Sequence, residues 1–382
     1  MTSLPFVYGR IVETPHFINR QEEINRLKIN LTSGLNTVLI SPRRWGKSSL
    51  VNTVVRLLKK NRRVRVCVVD LFNIRSEQEF IESYTREILK NTSSKWEEWL
   101  ENGKKFLAQL APRFSFGSDP YQDFSVSFNF SYAEKELRDV LDLPEKIAAT
   151  KGLHVVVCID EFQNISYYNN PLGFQKKLRS AWQHHRHTTY CLYGSKRHMM
   201  SEIFENKSHP FYKFGEVIFL KKIATEHWLD YLRSSFEKSN KAISDEQCRE
   251  VVSLAANNPY FVQQLALKVW LLTEKKVTSE IIDKAVDDIL MENSIVYLRD
   301  MENLSNTQIN YLHAVCDRVQ HLTSSDTLQK YRLGTSANVL KIKKALEQKE
   351  MLDLFTPYPE FVDPIFELWL KRIYFHDHPR NH

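Results

Sequence analysis

The chain has 382 residues, 42% of them hydrophobic and 26% charged, with a formal net charge of +7 and a pI near 8.9. This length accommodates two or three domains, the composition is that of a folded globular protein, and only 10 glycines and 13 prolines exclude long flexible linkers. The mild basicity is compatible with nucleic acid without selecting it, because a small lysine excess on a solvated surface has the same signature.

Five cysteines, Cys67, Cys158, Cys191, Cys248 and Cys316, are scattered and show no CxxC or Cys/His metal spacing. They read as small core residues in a reducing compartment. The segment "MTSLPFVYGR" lacks the charged and apolar regions of a secretory leader. No apolar run approaches the roughly 18 residues of a membrane span, so the expectation is a cytoplasmic protein with no membrane partner.

In chain order, "NRQEEINRLKINL" carries Ile24, Leu27 and Leu31 at helical spacing, with Asn19 as the expected N-cap. The β-branched run 36–40 reads as a strand, followed by a loop at 41–46 and an amphipathic helix at 47–60. A second strand (63–72) and helix (76–91) continue the alternation, which implies a parallel sheet flanked by helices. Residues 92–152 break the rhythm and read as an insertion: a helix in "WEEWLENGKKFLAQLA", a strand at 123–130 forming one arm of a hairpin, then helical sequence. The run "HVVVCIDEF" (154–162) is apolar enough for a central strand buried on both faces. Helix 172–186, strand 188–195, a short helix and strand 216–220 complete the sheet.

From residue 223 the strands stop, and four helices follow with Thr225, Ser244 and Thr278 as N-cap signals. Beyond about residue 304, three helices and a small hairpin follow the order of a winged helix-turn-helix. In its third helix (336–349), Val339, Ile342 and Leu346 should face inward, and Lys341, Lys344, Asn338 and Gln348 outward.

Chemistry concentrates in "LISPRRWGKSSL" (39–50). A phosphate loop works through backbone N–H groups that converge on an anion at a helix N-terminus. Ser41, Pro42, Arg43, Arg44, Trp45, Gly46, Lys47, Ser48 and Ser49 would form it. Lys47 would reach the β- and γ-phosphates, and Ser48 would ligate Mg²⁺. Serine at 41, where the pattern asks for glycine, is small, and Pro42 helps set the turn, so the loop should still work. "VVVCIDE" supplies the carboxylates that nucleotide hydrolysis needs at a strand end: Asp160 for Mg²⁺ and Glu161 to activate water. The tract "HHRH" (184–187) reads as a solvated helix end, since adjacent histidines point apart.

"PHFINRQEEINRL", "LISPRRWGKSSL", "VVVCIDEFQNI", "CLYGSKRHMM", "NNPYFVQQLA" and "FVDPIFELWLKR" occur in an order that resembles the archaeal-ATPase-like group of P-loop ATPases, over about residues 4–373. That group lies among the signal-transduction ATPases with numerous domains, close to AAA+ proteins. The resemblance implies adenine rather than guanine nucleotide. It implies that Phe17 and Arg20 lie against the base, with Asn19 standing where glycine is usual. It also implies that Ser195, after Gly194, senses the γ-phosphate, and that Pro259, after Asn258, approaches the adenine. Where related ATPases often carry Tyr-Gly-Arg, this chain has Tyr212-Lys213-Phe214, which removes a candidate arginine finger and argues for slow hydrolysis. Arg43, Arg44, Arg179, Arg186 and Arg197 are the alternatives.

The expected architecture is α/β: a P-loop NTPase domain with a parallel sheet (1–222, insertion about 92–152), a helical lid (223–300) and a C-terminal winged-helix-like domain (301–382). The expected function is an Mg²⁺-ATP-binding molecular switch with slow ATPase activity, with Glu161, Lys47 and Ser195 as catalytic residues and Ser48 and Asp160 on the metal. The alternatives are an ATP-gated protein that binds duplex DNA through the winged helix, and a scaffold that binds no ATP. A protein partner and homo-oligomerisation are open to either ATP-binding reading.

Overall fold

The computed structural model describes residues 4–12, 17–93, 114–116, 124–126 and 134–377. The chain divides into two units: Arg20–Ser41 with Lys47–Leu220, and Met1–Asn19 with Pro42–Gly46 and Lys221–His382. The expected helix within 95–110 lies outside the described residues.

In the first unit the strands are β1 (Thr37–Ile40), β2 (Val64–Asp70), β3 (Phe114–Phe116), β4 (Phe124–Val126), β5 (His154–Asp160), β6 (Thr188–Gly194) and β7 (Glu216–Phe219). Five of them form a wholly parallel sheet in the order β2-β5-β6-β1-β7. β3 and β4 pair antiparallel, so the hairpin expected inside the insertion is present. The helices are α1 (Gln21–Thr32), α2 (Lys47–Leu58), α3 (Glu77–Thr92), α4 (Glu134–Leu141), α5 (Leu143–Lys151), α6 (Pro171–Trp182) and α7 (Arg197–Glu205). Parallel strands need such crossovers, and the apolar runs of β1, β5 and β6 are buried because helices cover a parallel sheet. The end of the insertion is core: Val140, Leu141, Leu143, Ile147 and Ala148 join the apolar cluster of the sheet strands. Trp182 stacks on Tyr190 with centroids 4.2 Å apart in the same cluster.

Two local expectations are corrected here. Asn19 is not the cap of α1. Arg20 holds that position without a side-chain cap bond, and Asn19 has φ 32, a left-handed turn that asparagine tolerates. α6 ends at Trp182, and "HHRH" is not simply a solvated end. The His185 ring is enclosed, its side chain 2% exposed, with Nε2 2.9 Å from Asp142 Oδ1 and Nδ1 2.9 Å from the Tyr190 hydroxyl. The Tyr190 hydroxyl in turn meets that of Tyr84 at 3.2 Å.

The second unit contains α8 (Thr225–Glu237), α9 (Asp245–Leu254), α10 (Pro259–Leu272), α11 (Ser279–Glu302), α12 (Asn306–Cys316), α13 (Ser325–Lys330) and α14 (Ser336–Gln348). The short strands β8 (Leu352–Asp353) and β9 (Glu360–Phe361) and helix α15 (Pro364–Trp369) follow. One continuous apolar cluster runs from Trp228 through Val262, Ile289, Leu312 and Leu346 to Trp369 and includes Phe6. The N-terminal arm belongs to this unit: Phe6 packs on Tyr231 and Phe236, and the Tyr231 hydroxyl donates to Pro5 O.

Ser244 makes a full capping box and Thr278 caps α11, but Thr225 is the first residue of α8 and sends its hydroxyl to Asn257 Oδ1. In α14, Val339, Ile342 and Leu346 are buried, while Lys341, Lys344 and Gln348 are exposed. Asn338 departs from the outward expectation: it is half-buried, and its Nδ2 donates to Leu333 O. Three helices followed by the β8–β9 hairpin make the expected winged helix.

Candidate nucleotide site

Strand register builds the site in the sheet unit. Ile40 of β1 lies level with Gly194 of β6, and Ile159 of β5 with Leu192. Ser41, Asp160 and Ser195 therefore leave the sheet at one carboxyl edge, where open α/β sheets bind their ligands. α2 begins at Lys47 with no acidic residue in its first turn, so its free N–H groups and positive dipole end can receive an anion.

The side chains converge on Asp160. Lys47 Nζ is 3.4 Å from Asp160 Oδ1 and 3.5 Å from Glu161 Oε1. Ser48 Oγ donates to Asp160 Oδ2 at 3.3 Å. Lys47 is buried, and its ammonium lies 5.6 Å from the centre of the Tyr193 ring.

The two carboxyls are pushed apart in acidity. Burial, with the adjoining Glu161 charge, raises Asp160 above its ordinary value despite Lys47. Burial also acts to raise Glu161, but the Lys47 ammonium and the hydrogen bonds from Gln163 and Ser195 outweigh it and hold this carboxyl below its ordinary value. A half-buried carboxylate only partly neutralised by one lysine, beside a serine hydroxyl, is a hard oxygen donor set that fits Mg²⁺.

Glu161 has φ 50 and ψ 42, a left-handed backbone between β5 and the 3₁₀ turn Phe162–Tyr167. Its N–H donates to Asp160 Oδ1 at 2.8 Å. Glu161 Oε2 accepts from the Ser195 N–H at 3.2 Å, from the Ser195 hydroxyl at 2.9 Å, and from Gln163 Nε2. Such strained conformations in non-glycine residues recur at functional sites.

In the loop, the left-handed residues are Arg44 (φ 67) and Gly46 (φ 85), while Ser41 is fully buried. The backbone thus requires glycine at 46, where an added Cβ would meet nothing within 4 Å. The contacts of Pro42–Gly46 lie in the helical unit. There Arg43 pairs with Glu350 and Arg44 with Asp363, each at 3.4 Å, and the Arg44 guanidinium lies 4.8 Å from the Tyr260 ring centre. Trp45 is buried, with the Lys222 ammonium 5.8 Å from its ring centre.

The structure brings Lys47, Ser48, Asp160, Glu161 and Ser195 together, with Ser49 buried in the first turn of α2. Arg20 is buried and bonded to Glu23. Phe17 and Pro259 belong to the helical unit, where Pro259 opens α10 behind the Asn258 cap. Lys213 has φ 54, a left-handed conformation that favours glycine, and Phe214 is a core residue under the Arg179 guanidinium. Sequence reasoning missed Gln163 and Asp363. Both sit inside motifs that were quoted, "VVVCIDEFQNI" and "FVDPIFELWLKR", but neither had a contact to reveal it.

An ATPase domain described as predominantly from Archaea matches residues 17–265, and a probable winged helix domain matches residues 295–372. No curated protein matches in sequence. Among solved structures, a Walker-type ATPase of Pyrococcus abyssi is similar over 97% of this chain and 100% of its own, at 16% identity and a TM-score of 0.67. The ORC2 protein of Aeropyrum pernix, solved in ADPNP and ADP complexes, is similar over 98% and 100%, at 13% identity and a TM-score of 0.52. Among the described residues no helix is long and apolar enough to cross a membrane. With a phosphate loop opening α2, a carboxylate pair ending β5 and a family match over residues 17–265, the chain belongs to the ATPase family found predominantly in Archaea and carries a C-terminal winged helix.

Proposed function

We propose that this protein is an Mg²⁺-dependent, ATP-binding molecular switch that hydrolyses ATP slowly. The observation that carries this reading is the meeting of Lys47, Ser48 and Glu161 around Asp160. Ser48 and Asp160 would hold Mg²⁺, which supplies positive charge against the phosphate oxygens. Lys47 would bind the β- and γ-phosphates, and the α2 N-terminus would donate N–H groups to them. The oxygen of a water bonds to the γ-phosphorus, the bond to ADP breaks, and Glu161 accepts the water's proton. Ser195, bonded to Glu161, lies where a γ-phosphate sensor would act.

The slow rate is supported by Phe214, a core residue where the resemblance implies an arginine finger. The switch reading draws on the loop: Arg43 and Arg44 are paired with Glu350 and Asp363, so a change in the loop is felt by residues of the winged helix. On this reading residues 1–222, 223–300 and 301–382 act as ATPase, lid and winged-helix domains, and the adenine contacts are Phe17, Arg20 and Pro259. The test is ATP binding and steady-state turnover with Mg²⁺ for wild type, Lys47→Ala and Glu161→Gln. Lys47→Ala should lose binding, and Glu161→Gln should bind without turnover. A wild-type protein that neither binds nor hydrolyses ATP would refute the proposal.

A second reading, ATP-gated binding of duplex DNA, is favoured by the exposed Lys341 and Lys344 on α14. Duplex affinity that falls steeply with salt and weakens in Lys341→Ala/Lys344→Ala would support it.

A further inference from the structure

Gln163 stands two residues beyond Glu161 in the 3₁₀ turn and is 1% exposed. Burying a carboxamide is costly unless its polar ends are used. The left-handed backbone at Glu161 folds the turn back, so that Gln163 Nε2 donates to Glu161 Oε2. A carboxylate can only accept, which fixes the amide: Nε2 toward Glu161 and Oε1 away. Oε1 is buried with no hydrogen-bond partner and lies against Gly194 at the end of β6. A Cβ on Gly194 would stand 1.9 Å from Oε1. The other near atoms, Met200 Sδ at 2.7 Å and Cγ at 3.0 Å, belong to a flexible side chain that can move aside. A side chain at 194 would therefore force the Gln163 amide to shift.

We propose that Gln163 is a positioning residue for Glu161, held in register by Gly194. This inference rests on Glu161 being the residue that activates water. With Oε2 taken by Gln163 and by both donors of Ser195, the carboxylate cannot rotate freely. Oε1, which faces the Lys47 ammonium at 3.5 Å, is then the oxygen that would accept the proton of the attacking water. Gln163 donates to Glu161 and acts through it.

The test measures kcat, KM for ATP, ATP affinity and melting temperature of full-length variants. Gln163→Met keeps the volume and removes the donor. It should lower kcat by roughly ten- to a hundredfold, the span of a hydrogen bond to a charged group, with KM and ATP affinity within about twofold of wild type. Gly194→Ala, which displaces the amide without touching Glu161, should lower kcat similarly. Gln163→Ala/Gly194→Ala should be no slower than Gln163→Ala alone, because the obstructed group is gone. Wild-type kcat in Gln163→Met, a loss confined to KM or to melting temperature, or additive losses in the double variant would each overturn the proposal. If Gln163→Met does not fold, Gly194→Ala carries the test. Should Glu161→Gln be inactive while Gln163→Met turns over normally, the positioning role alone fails. Should Glu161→Gln turn over like wild type, the hydrolytic role of Glu161 fails and this inference fails with it.

Discussion

Arg44 Nη1 lies 3.4 Å from Asp363 Oδ2, a pairing across 319 positions of sequence. Asp363 is occupied from several sides. Its Oδ1 caps α15 by accepting from the N–H groups of Ile365 and Phe366 at 2.9 and 3.1 Å, and its Oδ2 accepts the Tyr297 hydroxyl at 3.2 Å. Arg44 is held in turn by the faces of Tyr260 and Phe261. An arginine of the loop before α2 thus shares its partner with a helix cap of the winged helix.

The capping and charge roles of Asp363 separate by substitution. Asp363→Ala should cost about 1–2 kcal/mol in urea unfolding, since the cap is lost. Asp363→Asn keeps a good cap and should cost less than about 1 kcal/mol, and Arg44→Ala, an exposed pair with a cation–π contact, a similar small amount. Equal losses for Ala and Asn at 363 would mean that the ion pair dominates.

Acid should unfold the sheet unit through Asp142 and Glu145. Burial alone would raise both, but His185 and Arg138 outweigh it at Asp142, and the N–H groups of Arg186 and His187 with the His187 ring outweigh it at Glu145, so both lie below their ordinary 3.8 and 4.5. A carboxyl lowered in the folded state stabilises above its unfolded value, and that stability is lost as pH falls through the folded value. Melting temperature should be level from pH 7 to about 5 and then fall, with a shallower fall in Asp142→Asn. Asp160 and Asp363, raised by burial, act in the opposite sense and limit the slope. An unchanged acid slope in Asp142→Asn would show that the His185 network is not the acid-sensitive element.

Gly46→Ala should be damaging although the added methyl meets nothing. Its φ of 85 costs an alanine about 1–2 kcal/mol, which the loop can relieve by changing shape. The expected readout is weaker ATP binding with a small change in melting temperature. Full retention of ATP affinity would mean that this backbone conformation is not needed for binding.

Restoring arginine at Phe214 should not accelerate turnover. Phe214 is packed against Trp182, Tyr190 and Phe211, with the Arg179 guanidinium 5.0 Å from its ring centre. A second cation there is buried beside the first, and Phe214→Arg should lose several kcal/mol of stability. Faster ATP hydrolysis by a folded Phe214→Arg protein would contradict this assignment.

What the amino-acid order determined by itself is what rests on neighbouring residues. Apolar runs announced β1, β5 and β6, 3.6-residue periodicity announced the helices, and the contiguous "WGKSS" and "DE" placed Lys47 and Ser48 at the start of α2 and Asp160 and Glu161 at the end of β5. Tertiary structure alone decided the rest. That the His185 ring is enclosed depends on Asp142 and Tyr190, that Phe214 is core depends on Trp182, and that Gln163 grips Glu161 depends on a left-handed turn and on the absence of a Cβ at Gly194. The left-handed φ of Asn19, Arg44 and Lys213, positions where glycine would be the expected residue, is likewise invisible in the residue types. Periodicity and contiguous motifs encode local geometry, whereas a side chain's partner and a strained backbone angle are set by groups that only packing brings within reach.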